Sequence, residues 1–111
     1  MKHGEVWQVD FAPAVGQEIK KQRPAVIVNH NAVGSLNLKI VVPISEVTKP
    51  SGWHIPLSPS SANGLTKNCH ADCFQIKSIS HDRFIQKLGK LSELEMDEVK
   101  LGLVLVLDLV Q

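Results

Sequence analysis

The run Pro24-Ala25-Val26-Ile27-Val28 restricts the fold of this chain more than any other feature. Apolar, mostly β-branched residues follow one another without the three-to-four spacing of a helix, so the run reads as a buried strand. Pro24 has no N–H to give to a ladder and belongs at the strand's start. A buried strand needs neighbours, and the sequence supplies them. EVWQVDFAP (5–13), LKIVVPIS (38–45), WHIPL (53–57) and CHADCFQIKSI (69–79) all read as strands, and KLGKL (87–91) as a short one at most. Polar and glycine-containing connections occupy 14–23, 31–37, 46–52 and 58–68, and HDRFIQ (81–86) reads as a helical turn.

The last twenty residues follow a different rule. Ser92-Glu93-Leu94-Glu95 is a capping box, in which the Ser92 hydroxyl and the Glu95 carboxylate each accept a backbone N–H of the other's residue. Met96, Val99, Leu103, Val106 and Val110 then keep helical spacing. Leu101, Leu103, Leu105, Leu107 and Leu109 also alternate as a strand would, but the cap and the length favour a helix. Its second half is apolar nearly all round, which calls for cover on more than one side. A second copy of the chain is a natural cover. The expected fold is α+β: a small β-barrel or strongly bent sheet of five to seven mostly antiparallel strands, with a C-terminal helix.

The 111 residues fit one domain spanning 1–111. Net charge is +1, so an anionic partner would have to be held by a local patch. Cys69 and Cys73 stand as C-x3-C without a second pair, which favours reduced thiols over a zinc site. No apolar stretch follows Met1 as in a secretion signal, and the longest apolar run (101–110) is short for a bilayer and carries Asp108. A cytoplasmic protein without membrane contact is expected.

The local cationic patch lies just before the restricting strand, at Lys20, Lys21 and Arg23. A guanidinium at the mouth of a rigid strand matches two phosphate oxygens with its planar fork. The preceding loop adds Gln17, Glu18 and Gln22. Glu18 and Arg23 read either as a base beside a charge stabiliser or as a structural ion pair. Ser45, ending LKIVVPIS, reads either as a hydroxyl donor to a phosphoryl oxygen or as a turn-starting serine bonded to its own backbone. Trp53 and Phe74 offer faces on which a base could stack, with core packing the commoner fate of each. The common signatures of phosphate loops, nucleophile elbows, zinc proteases and dinucleotide folds do not occur.

GEVWQVDFAPAVGQEIKKQRPAVIV resembles the opening of the MazF/PemK (Kid) family of toxin endoribonucleases. The family's G-[DE]-[IV]-W-x-V-[DN]-[FL] strand, P-x-x-G-x-E loop and R-P-[AV]-[VL]-[VI]-[VI] strand stand in order at Gly4–Phe11, Pro13–Glu18 and Arg23–Val28. VVPIS (41–45), WHIPL (53–57), GLTKN (64–68), QIKSI (75–79) and LGKLSELEMDEV (88–99) extend the likeness over nearly the whole chain. The resemblance implies an SH3-like barrel with a C-terminal helix, assembled as a homodimer. It implies cleavage of single-stranded RNA, including mRNA, at short sequences, with no metal and no cofactor. The ribose 2′-OH attacks the adjacent phosphate and leaves a 2′,3′-cyclic phosphate and a 5′-OH. A cognate antitoxin protein is the implied partner, and the pair together would bind DNA.

Carried over by position, the family's arginine falls on Arg23, its hydroxyl on Ser45 and its loop glutamate on Glu18. Lys20, Lys21, Gln17, Gln22, Gln75 and Lys77 are expected along the RNA path. Where some members have a loop histidine stands Gln17, and where some have an R-x-D pair stand Asp72 and Phe74, so an acid–base assignment built on that pair does not transfer. The same barrel in CcdB-like toxins binds gyrase without chemistry, and a member that has lost catalysis would be a binding module. The cationic loop before RPAVIV favours the nuclease.

Overall fold

The computed structural model describes residues 1–34 and 36–109. Seven strands precede one helix: β1 (Glu5–Asp10), β2 (Gln22–Ile27), β3 (Leu38–Ser45), β4 (His54–Leu57), β5 (Cys69–Asp72), β6 (Lys77–Ser80), β7 (Phe84–Lys90) and α1 (Glu93–Leu107). Short 3-10 turns at Cys73–Gln75 and His81–Arg83 flank β6. The strand reading of 69–79 is therefore interrupted, and the helical reading of 81–86 covers only its first half. Ser35 and Val110, which belong to an expected turn and to the expected helical stripe, lie outside the described residues.

Every strand pairing among the described residues is antiparallel, in the order β4-β5-β3-β2-β1-β7 with β6 also on β3. β3 bends the sheet by changing partners: Leu38–Val41 pair with β6, Ile44 and Ser45 with β5. Pairing does not join β4 to β7, so the expected barrel is an open, strongly bent sheet. Residues 58–68 occupy the gap instead. Lys90 N donates to Ala62 O at 2.8 Å. A Cβ on Gly64, whose φ is +70°, would stand 2.1 Å from Leu88 O, so only glycine admits this backbone-on-backbone approach.

Val6, Val26, Val42, Ile44, Ala71, Met96 and Val99 form one core between sheet and helix, and Val9, Phe11, Ala25, Ile27, Val41 and Ile79 a second beneath β1–β3. Each fully buried Val or Ile contributes roughly 1.5–3 kcal/mol. The capping box is present in full, Glu95 N to Ser92 Oγ at 3.1 Å and Ser92 N to Glu95 Oε1 at 2.8 Å, and contributes about 1 kcal/mol. The stripe Met96, Val99, Leu103 and Val106 does face the core. The sheet covers that side alone: Leu94, Leu101, Leu105 and Leu107 are exposed. No helix among the described residues is long and apolar enough to cross a membrane.

Glu5 is buried at the start of β1. Burial pushes its carboxyl up, but Trp7 Nε1 and Lys2 N, both 2.9 Å away, Lys87 Nζ at 3.2 Å and the N-terminal ammonium outweigh burial and carry it down to about 2.

Candidate active site

The β2–β3 ladder runs from Ile27↔Val41 to Ala25↔Pro43 and stops. The next pair would join Pro24 to Ile44, and Pro24 has no N–H to give. The strands part there. The opening is a cleft lined by Arg23, Pro24, Ile44, Ser45, Glu46, Leu65, Thr66, Lys67 and Cys69. The proline that restricts the fold thus also ends the ladder beside the site. β1 still pairs with this end of β2, Val9 opposite Arg23, so the guanidinium stands on a held backbone.

The Arg23 guanidinium makes no hydrogen bond or ion pair among the described residues. The chain's second arginine, Arg83, is spent on structure: its Nη1 donates to the carbonyls of Asp10 and Ala12. Ser45, opposite His70 in the β3–β5 ladder, lines the same cleft as Arg23. Arg23 and Ser45 are therefore brought together at the rim of the sheet.

Thr66, Lys67 and Glu46 complete the cleft and were not among the sequence expectations. Asn63, fully buried, shapes the loop that delivers Thr66 and Lys67. Its Oδ1 accepts from Ser60 N and Leu65 N, both at 3.0 Å, and its Nδ2 donates to Ser58 O at 2.9 Å and to Glu95 Oε2 at 3.3 Å. Lys67 Nζ meets Glu46 Oε1 at 2.5 Å across the mouth. Hydrogen bonding and charge from Lys67, with a smaller pull from Arg23, hold the Glu46 carboxyl below the usual range. Burial pushes the Cys69 thiol up, so it enters the cleft as a neutral thiol. A guanidinium, two hydroxyls and an ammonium thus surround a small opening suited to a phosphate oxyanion.

Glu18 does not share this cleft. It borders a neighbouring groove with Gln17, Ile19, Phe74, Gln75, Ile76 and Lys77. Its Oε1 accepts from Val15 N at 2.6 Å, and its Oε2 lies 3.9 Å from Lys77 Nζ. The ion pair with Arg23 weighed in the sequence is absent among the described residues, and Lys77 is the partner instead. Segment 17–24 borders both openings, Glu18 on one and Arg23 on the other. Lys20, Lys21 and Gln22, all exposed, lie between them. Gln75 and Lys77 line the second groove.

Phe74, expected in the core, is 65% exposed there, because it sits on the 3-10 turn rather than in a strand. Its ring lies 5.6 Å from that of Trp53, which packs half-buried against the core. Asp72 and His54, on neighbouring strands, approach to 3.7 Å.

The model of the PemK-like, MazF-like toxins of type II toxin–antitoxin systems matches residues 2–107. The chain belongs to this toxin family. Endoribonuclease MazF9 of Mycobacterium tuberculosis is 35% identical over 116 aligned positions, covering 98% of each chain. The toxin's fold is similar to the crystal structure of MazF (Form-I) from Deinococcus radiodurans, with a TM-score of 0.82 and 20% identity over 97% of this chain and 96% of that one. It is also similar to an endoribonuclease in complex with its cognate antitoxin from Mycobacterial species, with a TM-score of 0.80 and 19% identity over 100% of this chain and 98% of that one.

Proposed function

We infer that this toxin-family chain, acting as one domain, is an endoribonuclease, as the name of its relative Endoribonuclease MazF9 says of that protein, and that it cuts single-stranded RNA in the cytoplasm without a metal ion. The observation that carries the reading is the Arg23 guanidinium, without a hydrogen bond or ion pair among the described residues, lining one cleft with Ser45 where the β2–β3 ladder ends. RNA carries its own nucleophile. The 2′-oxygen bonds to phosphorus and gives up its proton, the P–O5′ bond breaks, and O5′ takes up a proton. The products are a 2′,3′-cyclic phosphate and a 5′-OH.

What the protein adds is charge stabilisation and proton transfer. Arg23 and Ser45 donate to the non-bridging oxygens as the phosphorane forms, an effect on the order of 10²–10³-fold for the charged guanidinium and about tenfold for the hydroxyl. Glu18, on the far side of segment 17–24, is the acid–base residue, a role contributing roughly 10²–10⁴-fold. Lys67 keeps Glu46 ionised and weakly basic, so Glu46 serves to hold Lys67 at the mouth. Lys20, Lys21, Gln22, Gln17 and Lys77 track the backbone between the two openings, with contacts that weaken in salt. Phe74 offers a face for an unstacked base.

The exposed leucines of α1 favour a homodimer in which a second copy covers them. The fold's likeness to a structure holding a cognate antitoxin supports a protein antitoxin as partner. Incubating the purified protein with a long single-stranded RNA in EDTA tests the reading. Discrete fragments ending in cyclic phosphate are expected; intact RNA would overturn it and leave a binding module. Light scattering at micromolar concentration is expected to give twice the chain mass of 12.2 kDa.

A further inference from the structure

The Gln75 side chain hydrogen-bonds residues 17–19 of the β1–β2 loop to the body of the protein, and Arg83 holds the loop's start at Ala12. Gln75 ends the 3-10 turn Cys73–Gln75, and its Oε1 accepts from Ile19 N at 2.5 Å. Its Nε2 reaches Gln17 O at 3.5 Å and Asp72 Oδ2 at 3.4 Å. The turn is rooted in the core. Cys73 is fully buried, its N donates to Trp53 O at 3.2 Å, and its Sγ donates to Val99 O in α1 at 3.5 Å. The loop end is less secured: Glu18 bonds within its own turn and lies 3.9 Å from the partly exposed Lys77 Nζ, and Ile19 packs at the edge of the second core.

The carboxamide has one orientation open to it. Ile19 N–H can only donate, so Oε1 must face it. The Asp72 carboxylate can only accept, so Nε2 must face that. Asp72 is 7% exposed, yet its Oδ1 accepts no hydrogen bond among the described residues, with His54 Nε2 standing 3.7 Å away. A buried carboxylate so poorly satisfied costs stability, which its orienting contact with Gln75 would account for.

We propose that Gln75 is a positioning residue: its carboxamide, oriented by Asp72, holds residues 17–19 so that Glu18 stands ready for proton transfer. The proposal rests on the endoribonuclease reading for its kinetic consequence and on the loop geometry alone for its structural one. A loop released from this latch would misplace Glu18 while leaving the phosphate cleft on β2 and β3 intact.

The test compares wild type, Gln75→Ala, Gln75→Glu and the double variant Asp72→Asn/Gln75→Glu, by amide hydrogen exchange and by steady-state cleavage. In Gln75→Ala, exchange at the Ile19 amide is expected to quicken about five- to tenfold, the worth of one hydrogen bond. Its kcat is expected to fall about tenfold with KM within about twofold. Gln75→Glu sets carboxylate against carboxylate and behaves like the alanine variant. The double variant restores both readouts, because an amide at position 72 donates to the new carboxylate while that carboxylate still accepts from Ile19 N–H. A Gln75 that touched RNA directly would instead raise KM at constant kcat, with no rescue, and that result overturns the proposal. Unchanged Ile19 exchange in a folded Gln75→Ala protein also overturns it. If wild type cuts no RNA, the endoribonuclease reading fails, and the exchange measurement still decides for or against the latch.

Discussion

The two openings on either side of segment 17–24 are built by different means. Arg23 and Ser45 stand at the ends of strands whose ladders continue on one side, Arg23 opposite Val9 and Ser45 opposite His70. Glu18 stands on a loop that a single carboxamide fastens to the 3-10 turn. On the proposed reading, charge stabilisation is mounted on the rigid sheet and proton transfer on a loop held by side-chain contacts, the Gln75 carboxamide first among them. Both groups must be in place as the bonds change, but the sheet fixes its group through paired backbone and the loop through side-chain contacts.

Breaking the rigid side should have the largest effect. Arg23→Ala is expected to lower kcat by about 10²–10³-fold with the circular dichroism unchanged. A variant that still cut at the normal rate would move the chemistry away from the sheet rim.

A titrating group of the scaffold lies outside both openings, at the start of β1. Glu5 titrates near 2 in the fold against an ordinary value of 4.5. Its contribution is therefore full above about pH 4.5 and lost as pH falls from there toward 2, and amounts to at most about 3 kcal/mol. Glu5→Gln should lower stability at pH 7 by about 2–3 kcal/mol and flatten the acid limb of the unfolding curve. Equal acid sensitivity in the variant would remove Glu5 as its source.

A smaller loss sharpens the contrast within the cleft. Ser45→Ala should cost about tenfold in kcat, one hydrogen bond to a charged oxygen, and Ser45→Thr should retain most activity. If both variants lost the same amount, the hydroxyl would be holding the strand end and not the phosphate.

The rigid side was largely legible in the sequence, and the loop side was not. β3 was read with its bounds, and the cap and stripe of α1 located the helix, because those patterns are local. The Pro24 run pointed to Arg23 for the same reason. The interruption at 73–75 was not legible, since it depends on α1. Gly102 packs against Cys73, on that turn, so closely that a Cβ there would stand 2.6 Å from its Sγ. That turn exposes Phe74 and aims Gln75 at the loop. Thr66 and Lys67 escaped notice because Asn63 and the glycine contacts on β7 set their loop, which no periodicity reveals. Gly64 within GLTKN was the available signal.

The central claim is that RNA supplies its own nucleophile while a guanidinium on the sheet rim steadies the phosphate. The most direct measurement replaces the ribose at a mapped cleavage site with its 2′-deoxy form and follows cutting and binding together. The account predicts that this one site stays uncut, neighbouring sites are cut as before, and binding changes by less than about twofold, because the phosphate contacts persist. Cleavage of the deoxy site at the ordinary rate would mean that water or a protein group attacks the phosphorus, and would contradict it.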